Sequence, residues 1–211
     1  MGWPEPVSAR FVTLEGGEGV GKSTQLKALA AALRERGLEM VETREPGGSP
    51  SAEAIRGLLL HEHHWTPEAE ALLFAAARAD HVARTIKPAL ARGAWVLCDR
   101  FVDSSIAYQG GAGGLGFEAI RALHDVGSHG FLPDRTLLLQ LPEEEAGRRT
   151  RSRDEDGADL IGGRGADYHR AVARAFAELA IGEPGRFRVV DASGAAEDVT
   201  GRLLAALDDL L

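Results

Sequence analysis

The sequence predicts an α/β fold, a three-layer sandwich built on a five-stranded parallel sheet. Two observations predict it. Short apolar, β-branched runs alternate along the chain with stretches whose apolar residues recur at helical spacing. Strands separated by helices pair in parallel through right-handed crossovers. In addition, the first strand runs straight into a glycine-rich loop and a helix.

The elements follow in order. Residues 11–14 read as a buried strand. Residues 22–36 read as a helix, with Leu26, Leu29, Ala30 and Leu33 on one face and Gly37 as its stop. A second strand is expected over 38–43 and a short helix over 51–60. Thr66-Pro67 opens a long helix running towards Arg92, which Pro88 should kink or restart. Residues 94–98 form a third strand, 117–126 a helix and 136–141 a fourth strand. Pro142 opens a helix to about Arg153. Residues 154–166 hold four glycines and four acidic residues with almost no core signal, and read as a mobile loop. A helix over 167–180, a strand over 187–190 and a helix over 195–211 complete the chain. The expected organisation is a flexible N-terminus over 1–9 and one domain over 10–211, with a lid at about 148–166.

A chain of 211 residues suits one globular domain with a full core. Its formal net charge of -8 argues against a nucleic-acid-coating protein, and a local arginine cluster could still bind a small anion. Of 24 basic residues only Lys22, Lys27 and Lys87 are lysines. Codon bias, or a preference for bidentate phosphate contacts, gives such a skew. Cys98 is the only cysteine, which excludes an internal disulfide, and its apolar surroundings suggest a buried thiol. Residues 1–9 lack the apolar core of a signal peptide, and Pro6 stands where myristoylation wants Ser or Thr. No apolar run reaches membrane-spanning length, so no membrane partner and a cytoplasmic location are expected.

The sequence Gly16-Gly17-Glu18-Gly19-Val20-Gly21-Lys22-Ser23 fits G-x-x-x-x-G-K-[ST] in full, between a strand and a helix as the motif requires. The glycines let backbone N–H groups curl around a phosphate, and the helix N-terminus adds its positive dipole end. Lys22 reaches the terminal phosphates, and Ser23 offers a hydroxyl to Mg²⁺, with Thr24 behind it. This points to a fold of the P-loop NTP hydrolase/kinase type; the motif specifies a nucleotide phosphate with Mg²⁺, and not what happens to it. A guanine-reading N/T-K-x-D element is absent, since none of the three lysines precedes x-Asp. A motor ATPase would be longer. A small kinase with its own acceptor site remains.

Three segments speak for the acceptor: Thr43-Arg44-Glu45-Pro46-Gly47-Gly48 after the second strand, Leu73-Phe74-Ala75-Ala76-Ala77-Arg78 on the long helix, and Asp99 to Gly110 after the third strand. The first and third lie where open α/β sheets hold their ligands, at the C-terminal strand ends. In this order and spacing they resemble the bacterial thymidylate kinase family, closely from about Phe11 to Gln140 and more loosely to the C-terminus. The resemblance implies phosphoryl transfer from ATP to dTMP and a homodimer. Another nucleoside monophosphate kinase, or a P-loop regulator that has lost catalysis, is the alternative.

The resemblance assigns roles residue by residue. Arg100 grips the acceptor phosphate, and Asp99 lies near Mg²⁺. Phe74 stacks on thymine, although a Phe in an Ala-Leu helix alone would read as core. Arg78, four positions on and on the same face, bonds a thymine carbonyl. Ser104, Ser105 and Gln109 lie near the substrate, and Tyr108 crowds the sugar C2′. Glu45 and Arg56 match positions near the dTMP phosphate and the turn after the second strand. Glu18 lies close to the nucleotide sugar or the metal. The P-loop holds no arginine. Family members of that kind carry the catalytic arginine in the lid, where Arg148, Arg149, Arg151 and Arg153 stand. Arg153 is the first choice and Arg149 the second. The lid departs from the family: Asp159-Leu160-Ile161-Gly162 replaces an Asp-Arg-x-Glu-like string, and Arg164 comes later. Asp191-Ala192-Ser193 resembles the loop that borders adenine.

Overall fold

A computed structural model of the chain describes residues 8–62, 65–154 and 164–211, with the backbone alone for residues 61–62, 143 and 150–154. Residues 1–7, and the lid stretch containing Asp159 to Gly162, lie outside the described residues. Among these, five strands form one sheet: β1 (Phe11–Glu15), β2 (Met40–Arg44), β3 (Trp95–Asp99), β4 (Arg135–Gln140) and β5 (Phe187–Asp191). Their order is β2-β3-β1-β4-β5, and every pair is parallel. The helices are α1 (Lys22–Glu35), α2 (Pro50–Gly57), α3 (Pro67–His81), α4 (Lys87–Ala91), α5 (Val102–Ser105), α6 (Phe117–Ser128), α7 (Glu143–Asp154), α8 (Ala166–Gly182) and α9 (Ala196–Ala205). The expected three-layer sandwich is the fold.

Period-two alternation sends strand side chains into two cores, and covering both faces is what a parallel sheet requires. Val12, Leu14, Leu97, Leu137 and Leu139 pack with α1 and α9. Phe11, Val96, Cys98 and Leu138 pack with Ile120 of α6 and with Val172 and Phe176 of α8. Cys98 is a buried thiol, as its apolar run suggested.

Several boundaries differ for identifiable reasons. Helix α1 ends in a Schellman motif: Leu38 N donates to Leu33 O and Gly37 N to Arg34 O, so β2 begins only at Met40. At Pro88 the helix restarts, as expected: α3 ends at His81, and Pro88 stands in the first turn of the new segment α4. A π-helical turn over Val82–Ile86 precedes it, and the wider turn makes room for the ring that lacks an N–H. The last helix stops at Ala205 rather than running to 211. Tight turns follow, with Leu207 N bonded to Leu204 O. They bury Leu207 completely and leave Ala206 O and Asp209 to accept from Arg135. Residues 102–112 are helical, first α5 and then a π-helical stretch over Ile106–Ala112, where no element was expected.

Candidate active site

The loops after β1, β2 and β3 leave the sheet at its C-terminal edge and converge. Glycine is obligatory at the first of them. Gly16 has φ 140°, and a Cβ there would lie 2.4 Å from Leu139 O. Gly48 has φ 82°, and a Cβ there would lie 2.4 Å from both His81 Nε2 and Thr43 Oγ1. Arg100 itself adopts the left-handed region, φ 71°, as the chain turns out of β3. Such strain persists when its surroundings over-determine it. Here Arg100 N donates to Leu14 O, while the next N–H, that of Phe101, donates to Glu15 Oε1 at 2.7 Å.

The three loops, with α3 and α7, enclose a cleft of about 490 Å³. The P-loop side contributes Glu18, Gly19, Gly21, Lys22, Ser23 and Thr24. Facing them are Glu45 and Arg56, Phe74 and Arg78 of α3, and Asp99, Arg100, Ser104, Ser105, Tyr108 and Gln109. Arg149 of α7 closes the list of expected residues that reach it. Gly16, Gly17 and Val20 do not line it; Val20 points into the core beside α1. The side chain of Arg153 lies outside the described residues. Arg44, Pro46 and Phe101, which lie in the acceptor segments but had no role of their own, also line the cleft, as does Leu60, which was not expected.

Charge is tightly paired here. Arg100 Nη2 lies 2.5 Å from Glu18 Oε1, its Nη1 donates to Ser104 Oγ and Gly16 O, and its guanidinium sits 5.0 Å over the Tyr108 ring. Burial holds the Tyr108 phenol well above its usual range, so it stays protonated and donates to Glu18 at 3.2 Å. Lys22 Nζ donates to Gly17 O at 2.7 Å and Gly16 O at 3.2 Å. Burial, and then the like charge of Arg100, lower its pKa from 10.5 to about 8. Ser23 Oγ donates to Asp99 Oδ2 at 2.6 Å. Hydroxyl and carboxylate oxygens side by side are hard donors that suit Mg²⁺, which takes its remaining ligands from water and phosphate.

At the other end Arg78 is almost wholly buried. Its Nε donates to Glu45 Oε2 at 2.8 Å, and its Nη2 to Ser105 Oγ at 2.7 Å. Glu45 also meets His81 Nδ1 at 3.0 Å, and His81 Nε2 meets Thr43 Oγ1. Phe74 is half-buried between cleft and core. Arg56 Nη1 donates to Pro46 O at 2.7 Å, beside the cis Glu45–Pro46 bond.

A layer behind the cleft escaped the sequence reading. Glu15 ends β1 with no exposure at all and takes Ser104 Oγ at 2.6 Å. Burial, and then the negative charge of Asp103, push its carboxyl up to about 8. Asp103 is gripped by Arg186 through both oxygens and by Thr136 Oγ1. A carboxylate immediately before the glycine-rich loop, ending an otherwise apolar buried strand, was the available signal for Glu15. His81, three residues after Arg78 on one helical face, was the signal for its pairing with Glu45.

A cradle of this form, beside a second cluster of arginines on one parallel sheet, defines a P-loop nucleotide kinase. The sequence model of the thymidylate kinase family matches residues 14–202. A thymidylate kinase of Rhizorhabdus wittichii is 62% identical over 204 residues, covering 96% of this chain and 98% of its own. One of Chromohalobacter salexigens is 48% identical, covering 96% of each chain. The crystal structure of thymidylate kinase from Ehrlichia chaffeensis superposes with a TM-score of 0.76 at 30% identity, over 95% of this chain and 98% of that one. The chain belongs to the thymidylate kinase family.

Proposed function

We propose that this chain transfers the γ-phosphoryl group of ATP to dTMP, giving dTDP and ADP. One observation carries the reading: a single cleft is lined by a P-loop on one side and by Arg100, Arg78, Phe74 and Tyr108 on the other. Family membership across nearly the whole chain points the same way. Neither a different monophosphate kinase nor an inactive regulator has an observation behind it.

In this reading ATP lies on the P-loop with its terminal phosphates at Lys22, and the dTMP phosphate lies against Arg100. An oxygen of the acceptor phosphate attacks the γ-phosphorus in line. The new P–O bond forms as the bond to the β-phosphate oxygen breaks, and ADP leaves with that electron pair. A phosphate dianion needs no general base, so catalysis is positioning plus charge stabilisation. Lys22 and Arg100 are held in place by backbone carbonyls, Glu18 and Ser104. Ser23 and Asp99 would hold Mg²⁺, which supplies charge neutralisation between the phosphates. Arg149 reaches the cleft from α7, and Arg153 one turn on is its companion in the proposal.

Phe74 and Arg78 take the base, with Ser105 and Gln109 beside them, and Tyr108 stands at the sugar. Glu45 and Arg56 hold the turn that faces the acceptor phosphate. Cytoplasmic residence and a homodimer belong to the same proposal. No helix among the described residues is long and apolar enough to cross a membrane, and Leu72 of α3 and Val126 of α6 are exposed apolar residues. ADP release measured with dTMP, dUMP, UMP, CMP, AMP and GMP tests the reading. Turnover highest with dTMP is expected; no turnover with any of the six, or a preference for a purine, overturns it.

A further inference from the structure

Gln109 is buried to within 3% of its surface and lines the base end of the cleft. Its Nε2 donates to Glu70 Oε1 at 2.8 Å. The other Glu70 oxygen takes Nη2 of Arg164 at 2.5 Å, across 94 residues of sequence. Arg164 Nη1 donates to the Tyr168 hydroxyl, which donates in turn to Tyr108 O at 3.0 Å. A carboxylate paired with a guanidinium can only accept hydrogen bonds. The amide of Gln109 must therefore turn its NH₂ towards Glu70, whatever its other surroundings. Its Oε1 is left as an acceptor, and the bond to Glu70 is the one side-chain hydrogen bond that Gln109 makes among the described residues.

Arg78 is fixed in the complementary sense. Its Nε and Nη2 are engaged by Glu45, Ser105 and Phe101 O, and no described residue accepts from Nη1. The base pocket thus offers one donor and one acceptor of set polarity. That pair matches a carbonyl next to a ring N–H, as on thymine or uracil. Cytosine presents the reverse, an amino donor next to a ring-nitrogen acceptor.

We propose that Glu70 is a positioning residue that sets the polarity of the Gln109 amide, with Arg164 as its clamp, so that the pocket rejects cytosine. The inference rests on the proposed dTMP site and deepens it. Glu70 touches no substrate; it acts through Gln109.

The test is the variant Glu70→Gln, whose amide can meet Gln109 with either end. Steady-state kinetics with dTMP and dCMP read the outcome. The dTMP-to-dCMP ratio of kcat/KM should fall by about tenfold or more, mainly through KM for dTMP, with kcat within about threefold of wild type. Arg164→Met should move the ratio the same way by less, since Arg164 keeps 30% of its side chain exposed. A purely structural role would lower both substrates equally. A ratio within about twofold of wild type in folded Glu70→Gln, or in Arg164→Met should the first not fold, overturns the proposal. If the wild type turns over neither nucleotide, the dTMP reading fails. Calorimetric binding of the two monophosphates to wild type and variant then reads the polarity by itself, and an unchanged binding ratio overturns it.

Discussion

The buried carboxyl of Glu15 makes stability depend on pH in a direction opposite to most carboxylates. Its folded pKa is about 8, raised from 4.5 by burial and by Asp103. The native state therefore holds a proton that the unfolded chain gives up. The stability this contributes is complete below pH 4.5 and is lost as pH rises through 8. Each unit of separation corresponds to about 1.4 kcal/mol, so between pH 5 and 8 the loss is on the order of 4 kcal/mol. Glu15→Gln isolates the effect: the amide keeps the volume, accepts from Phe101 N with its oxygen and donates to Ser104 Oγ. Lys22 does not confuse the comparison. Its folded pKa is lowered from 10.5 to about 8, so it adds stability as pH rises, and only above 8. Urea unfolding of both proteins at pH 5.5, 6.5 and 7.5 is the assay. Wild type should lose about 1.4 kcal/mol per pH unit relative to Glu15→Gln. A difference constant to within about 0.5 kcal/mol across that range would refute the protonated state assigned to Glu15.

Three further outcomes are expected. Lys22 loses its charge above its pKa of about 8, so kcat/KM for ATP should fall towards tenfold per pH unit beyond pH 8. In Lys22→Arg it should stay flat; pH–rate profiles of the two proteins decide it. Tyr108 is packed between Arg100 and Phe176, and its change to Leu should raise the UMP-to-dTMP ratio of kcat/KM by about tenfold. An unmoved ratio removes Tyr108 from sugar selection. Arg149→Ala should lower kcat by about 100-fold or more while KM for dTMP stays within about threefold. Arg153→Ala, measured alongside, should show the same split, and a change confined to KM in both would sink the assignment to α7.

What could be read in the sequence was local chemistry in a known frame. Phe11 to Leu14 announces itself as a strand because both faces of a parallel sheet are buried, and Gly16 to Ser23 announces its loop by motif, to which the structure adds that no Cβ fits at Gly16 beside Leu139 O. Residues 102–112 did not read as helical. Val102, Ile106 and Ala107 give the segment an apolar side; Gly110 and Gly111 interrupt it, and the polar side chains serve the cleft and the buried Asp103–Arg186 pair, so the stripe is too short to mark a helix. The end of α9 was misplaced because Leu207 and Leu210 keep helical spacing while the backbone tightens to seat Leu207 in the core. Glu70 and Arg164 stand 94 residues apart, a pairing that no local pattern encodes.

Three polar groups of the cleft share a further property, which bears on affinity. Each already holds a protein partner: Lys22 the carbonyls of Gly16 and Gly17, Ser23 the carboxylate of Asp99, and Arg100 the carboxylate of Glu18. If the phosphate proposed to lie at Arg100 displaces Glu18, it exchanges one charge-assisted contact for another, and its gain is the difference between the two. That difference depends on the ligand's charge. Glu18 offers Arg100 a single carboxylate at 2.5 Å, so a monoanionic phosphate ester would gain little by replacing it, whereas a dianionic monophosphate would bring the extra charge that tips the exchange. Because Glu18 belongs to the P-loop and Arg100 to the segment after β3, such an exchange would also loosen the contact that ties the two sides of the cleft together. On the proposed reading, the pair that keeps the free protein's charges satisfied would also favour the dianionic form of the acceptor.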